Sequence, residues 1–157
     1  MKKEDRDKAL VTIGENLRNN RELAGYTAEE MARLLGIAVR TLRAYEYGEH
    51  QMSLKTAVRI SEICGATVTR LIGISGSDSA DKFSDPKLLM YKRIRKMLGM
   101  NQTEFANEIG ASRSSISDYE SGYSSMPIKV FIRFCNVCGL SESDINSLAR
   151  NMTKNAL

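Results

Sequence analysis

GMNQTEFANEIGASRSSISDYESG, Gly99 to Gly122, has a near-twin earlier in the same chain: GYTAEEMARLLGIAVRTLRAYEYG, Gly25 to Gly48. The two align without a gap at an offset of 74 residues, and from Arg21–Gly65 against Arg95–Gly139, 13 of 45 positions are identical. Such a match identifies an internal repeat, so the chain is read as two copies of one structural unit. The shared residues are those that set backbone geometry and core size.

Each copy spells two short helices joined by a tight turn. Gly25 and Gly99 sit where a preceding helix must stop. Thr27 and Asn101 follow as N-caps, with Glu30 and Glu104 three residues on, the spacing of a capping box. Ala32 and Ala106 keep the first helix thin where the second crosses it, and Gly36 and Gly110 supply the turn. Met31, Leu35, Leu42 and Tyr45 form one apolar face; Phe105, Ile109, Ile116 and Tyr119 form the other. Two short helices crossing steeply through a glycine turn define a helix-turn-helix. Ser112 can cap the second helix of copy two, whereas Ala38 at the matched position cannot.

The rest of the chain fits an all-α protein. Its 157 residues suffice for two small domains, and only two prolines interrupt it. Helices are expected near Lys8–Ala24, Ala28–Leu35, Val39–Tyr47, Leu54–Cys64 and Val68–Ile72, then near Pro86–Leu98, Gln102–Ile109, Arg113–Ser121, Ile128–Cys138 and Glu142–Met152. The Ser/Asp-rich stretch before Pro86 reads as a linker, giving a first domain over 1–74, a linker over 75–86 and a second domain over 87–157. The tail from Lys154 should fray.

Net charge is +4, distributed as +2 over residues 1–73, −2 over 74–86 and +4 over 87–157. The second half is thus the better polyanion face. There is no membrane-length apolar run and no apolar leader at the start, so a cytoplasmic location is expected. Cys135-Asn-Val-Cys138 has the spacing of a zinc half-site or a redox pair. It has no second ligand pair, and His50 is the sole histidine, so no metal is expected. Cys64 and Cys138 occupy the same repeat position and read as small buried hydrophobes. With no nucleophile–base set, carboxylate pair or phosphate loop, no catalytic residue, cofactor or small-molecule ligand is expected.

Both copies resemble the lambda-repressor/Cro-like (Xre) helix-turn-helix family, over residues 10–72 and 86–140. Copy two carries the closer match in Asn101-Gln102, the run from Gly110 to Ser117, and Tyr119-Glu-Ser-Gly122. The resemblance implies two tandem five-helix domains that bind double-stranded DNA, each with its second motif helix in the major groove. It implies that Gln102 bonds a phosphate and that Ser112, Arg113, Ser114 and Ser117 face the groove. Arg113 is the candidate for a two-bonded contact to guanine or for a phosphate contact. Backbone N–H groups of Ser125 and Ile128 would touch phosphates, with help from Lys129 and from Arg133, whose alternative is a solvated helix face. In copy one the DNA-facing set is Thr27, Val39, Arg40 and Arg43. There Ala28, Ala38 and Val39 stand where copy two has Gln102, Ser112 and Arg113. Copy one is therefore expected to be a weaker reader, or to have turned its third helix into a packing surface. The resemblance also implies buried ion pairs, Arg21 with Glu46 and Arg95 with Glu120.

Two functional classes follow. The first is a sequence-specific transcriptional regulator, a repressor, reading two half-sites. The second is an antitoxin-like interaction module in which copy one binds protein. The apolar face of the last helix (Ile145, Leu148, Ala149, Met152) would suit a homodimer contact or packing on its own domain.

Overall fold

The computed structural model describes residues 7–78 and 85–154. The middle of the expected linker, the first six residues and the end of the tail lie outside that range. Ten α-helices occur among the described residues, with no strand. The chain divides into a unit of Met1–Met52 and Thr56–Ile74 and a unit of Ser53–Lys55 and Ser75–Leu157.

The first unit holds α1 (Lys8–Leu23), α2 (Ala28–Leu35), α3 (Val39–Glu46), α4 (Leu54–Cys64) from Thr56 onward, and α5 (Val68–Ile72). Asp7 caps α1 by accepting from the Ala9 and Leu10 N–H groups. Thr27 Oγ1 accepts the Glu30 N–H and donates to the Glu30 carboxylate, the expected cap. Ala38 makes no side-chain cap bond. Leu17, Met31, Leu42, Ile60 and Leu71 are fully buried and fill the centre.

The second unit holds α6 (Tyr91–Met97), α7 (Gln102–Ile109), α8 (Arg113–Ser121), α9 (Ile128–Cys138) and α10 (Glu142–Lys154). Asn101 Oδ1 accepts the Glu104 N–H, Ser112 Oγ the Ser115 N–H and Ser141 Oγ the Asp144 N–H. Phe134 packs on Phe105 edge-on and on Tyr91 at a tilt, with ring centroids 5.1 and 5.0 Å apart. Ile145, Leu148 and Ala149 of α10 are buried within this unit. Ser77, from the stretch expected as linker, donates its N–H to the Leu140 carbonyl at 2.8 Å.

Two expectations are corrected. A helix over Pro86–Leu98 does not form: a 3-10 turn spans Pro86–Leu88, the chain extends at Leu89 and Met90, and α6 starts only at Tyr91. Asn151 of α10 donates to the Pro86 and Leu89 carbonyls at 2.6 and 3.0 Å, which ties the segment to α10 instead. Cys64 is half-buried, whereas its counterpart Cys138 is buried.

The same arginine fork braces both units. Arg21 Nε and Nη2 donate to the two carboxylate oxygens of Glu46, and Nη1 donates to the Tyr26 carbonyl at 2.9 Å. Arg95 does the same with Glu120 and with the Met100 carbonyl, at 2.8 Å. Both arginines are buried. Each joins the first helix, the chain entering the second and the end of the third.

Arg95→Ala leaves a shielded carboxylate without its cation, which typically costs ~3–5 kcal/mol. Hydrogen exchange should show the second unit opening while the amides of α2 and α3 stay protected. Equal loss of protection in both units would contradict this. Tyr91 presents the opposite case: its hydroxyl is buried with no hydrogen-bond partner among the described residues. A buried unpaired group costs about 1–3 kcal/mol, so Tyr91→Phe should raise the urea midpoint. A lowered midpoint would mean that the hydroxyl has a stabilising partner.

Candidate nucleic-acid interface

The solvent face of α8 follows from helical spacing. Ile116 points inward and is 2 % exposed. Arg113, Ser114, Ser117 and Ser121, at positions i, i+1, i+4 and i+8, are exposed on the other side. Arg113 is the first residue of the helix, and its guanidinium has no partner among the described residues. It stands free beside a helix N-terminus whose own dipole favours anions.

Ser112 has less freedom. Its Oγ accepts the Ser115 N–H at 3.1 Å, donates to Ser115 Oγ and lies 3.1 Å from Ser114 Oγ. It sets the helix start, and so the direction in which Arg113 leaves the backbone. Gln102, at the first position of α7, donates through Nε2 to the Glu120 carboxylate at 2.9 Å. An amide nitrogen carries two N–H groups, so one remains for another acceptor. The buried fork thereby orients a side chain on the outer face.

The loop after α8 leads to α9. The Ile128 side chain is buried, which fixes the first turn of that helix. Ser125 is half-buried, with its Oγ accepting the Lys55 N–H. Lys129 is half-buried in the first turn of α9.

The matching surface of the first unit is poorer in polar groups. Ala28 is buried where Gln102 stands, and Val39 is half-buried where Arg113 stands. Arg40 is exposed, with no partner among the described residues. Arg43 Nη2 is bound to Glu29 Oε1 at 2.8 Å. The Glu29 carboxyl is held below its ordinary range by a backbone hydrogen bond and by Arg43. Thr27 spends its hydroxyl on Glu30.

Two features escaped the sequence reading. Arg59 and Arg133 occupy one repeat position and cap the helix before each turn. Arg59 donates to the Leu34 and Leu35 carbonyls at 3.0 and 3.2 Å, and Arg133 to the Ile109 carbonyl at 3.2 Å. The signal was present, since an arginine is conserved between the copies at an exposed helical site. Tyr123 is the other: it is 85 % exposed in the loop after α8. An aromatic residue in a Ser/Gly-rich loop where no core needs one was its signal.

Among the described residues no cluster of His, Cys, Asp or Glu could hold a metal ion, and no helix is long and apolar enough to cross a membrane. Burial pushes the Cys135 thiol well above its ordinary range.

Ser112→Ala should destabilise the second unit by ~0.5–2 kcal/mol through loss of the cap. The check is a urea melt, and an unchanged midpoint would show that the hydroxyl does not hold the helix start.

The helix-turn-helix family model matches the chain twice, over residues 17–71 and 92–145. A protein of Pyrococcus furiosus named as an HTH-type transcriptional regulatory protein is 38% identical over 61 residues, which is 39% of this chain and 19% of that protein. A similarly named protein of Thermococcus kodakarensis is 41% identical over 61 residues, with the same coverage of 39% and 19%. The chain thus spans about a fifth of the length of these archaeal relatives. The SPbeta prophage-derived HTH-type transcriptional regulator YonR of Bacillus subtilis is 33% identical over 99 residues, covering 62% of this chain and 88% of YonR. No solved structure matches the chain. With both repeats matched and their capped, arginine-braced helices in place, the chain belongs to the lambda-repressor/Cro-like (Xre) helix-turn-helix family, which it contains in two tandem copies.

Proposed function

We propose that this chain is a sequence-specific DNA-binding transcriptional regulator of cytoplasmic location, acting as a repressor. One observation carries the reading: α8 offers a free Arg113 with Ser114 and Ser117 on its exposed face, while Ile116 anchors the opposite face. The relatives named as transcriptional regulators support it. In this role Arg113 reads a guanine edge through two hydrogen bonds, and Ser117 approaches the next base step. The remaining N–H of Gln102, the backbone N–H groups of Ser125 and Ile128, and Lys129 hold phosphates. Tyr123 adds a hydroxyl at the same edge.

The two units then read two half-sites. The assignment of 1–74 and 87–157 as separate readers makes the second contact intramolecular once the first forms, which raises its effective concentration. The first unit is the weaker reader: Arg40 and Val39 remain for the groove, whereas Thr27 and Arg43 are engaged within the unit.

A second reading has its own support. Val39 half-buried, Ala28 buried and Arg43 bound to Glu29 leave α3 with few free polar groups. That face suits a protein contact, as in an antitoxin-like module, with a homodimer as one form of it.

The experiment is a selection of bound sequences from a random duplex pool, run with the full chain and with its Arg113→Ala variant. A contact to guanine is worth about 1–3 kcal/mol of discrimination, so the variant should lose its preference at one base pair by roughly 5- to 150-fold. An unchanged preference would remove Arg113 from the reading role. Affinity should also fall steeply with added salt, as phosphate contacts require. A flat salt response, or selection of no sequence, would favour the protein-contact reading.

A further inference from the structure

The two units differ most at one place, where the first and third helices meet. In the first unit α1 is 16 residues long, and its first two turns lie across the end of α3. There is no room between them. A Cβ on Gly14 would collide with the Tyr45 and Glu46 carbonyl oxygens, and one on Gly48 would stand 2.7 Å from Val11 Cα. In the second unit the matching helix, α6, has 7 residues and begins nine positions later in the repeat register. Pro86 and the Asn151 bonds divert the preceding chain toward α10. Among the described residues the end of α8 is left uncovered, and a cavity of about 450 Å³ opens there. Its lining includes Lys92, Arg93, Lys96, Ser121, Gly122 and Met152.

Charge separates the two places as sharply as shape. In the first unit Arg18 and Glu22 form an ion pair on α1 at 3.1 Å. Their counterparts are Lys92 and Lys96, like charges four residues apart, with Arg93 beside them. All three are exposed, and among the described residues none has a carboxylate partner. Glu120, at the cavity edge, is already held by Arg95 and Gln102.

The geometry points to a docking groove on the second unit for an acidic helical segment of a partner protein. The first unit shows what fits: a helix with a glycine or alanine at the crossing and an acidic residue near its end. Glu15 is that residue, three and four positions ahead of the sites matched by Lys92 and Arg93. Met152 offers the occupant an apolar wall, and the cations supply complementary charge. Along α8 the groove lies about 12 Å from Arg113, so a partner can sit there while the other end of the helix reads a duplex.

The probe is a fluorescent, side-chain-stapled helical peptide of the Asp7–Asn16 sequence carrying Lys8→Glu. Titrated with the full chain, it should give a saturable rise in anisotropy. Affinity should drop at least tenfold for the Lys92→Glu/Lys96→Glu chain and for a peptide bearing Glu15→Lys. Both lysines are exposed, and an unchanged thermal melt will show that the variant folds. Absence of saturable binding, or binding indifferent to these charge reversals, overturns the proposal. So does a variant chain that keeps the peptide but loses duplex affinity, because the patch would then be a phosphate contact. The titration uses no DNA, so its outcome is separate from that of the base-selection experiment.

Discussion

A buried guanidinium must find acceptors for its N–H groups or pay heavily for leaving water. In each unit that demand is met by three chain segments at once. Arg95 reaches the carboxylate at the end of α8 and the carbonyl that leads into α7. Arg21 does the same with Glu46 and Tyr26. Neither segment can shift without stranding a charge, so the angle between the motif's two helices is held from behind. The exposed side chains of α8 hang on that angle. A rod that rolled by a few degrees would carry Arg113 away from any fixed target.

The brace lies on one side of the third helix and the variable residues on the other. Leu42 and Ile116, Tyr45 and Tyr119, and Glu46 and Glu120 match in type between the copies. The outer positions do not: Ala38-Val39-Arg40 stands against Ser112-Arg113-Ser114. Helical periodicity makes this separation possible, because residues three and four apart share a face while their neighbours turn away. One scaffold can therefore carry a polar exposed face in one unit and a more apolar one in the other, with little consequence for folding.

The scaffold was readable in the sequence because its signals are local. Caps, turn glycines and the apolar period each act within a few residues, and the two copies checked one another. The arginine–glutamate pairs, 25 residues apart in sequence, were not local; the family resemblance supplied them. What escaped depended on contacts that no window contains. Pro86 stood at the start of the expected helix, where proline is tolerated, but the bond from Asn151, 65 residues away, decided where the chain goes. Arg133, open in sequence between a phosphate contact and a solvated helix face, bonds the Ile109 carbonyl, a partner 24 residues away. Gln102 was assigned to a phosphate by resemblance, and its bond to Glu120 shows how it is aimed. The half-buried state of Cys64 had no local signal either, since its twin Cys138 is buried.

The short α6 has a consequence for the core as well. Leu17 and Tyr91 occupy one repeat position, and both are buried. In the first unit this position lies in the middle of a long helix, where a branched aliphatic side chain packs without a polar atom. In the second it is the first residue of the helix, beside an open cavity, and a larger ring fills the space against Phe134. The ring brings with it a hydroxyl that has no partner among the described residues. The late start of α6 thus goes with a bulkier, less well satisfied residue behind it. The surface that distinguishes the second unit and the unpaired hydroxyl in its core both go with the late start of α6, after the turn at Pro86.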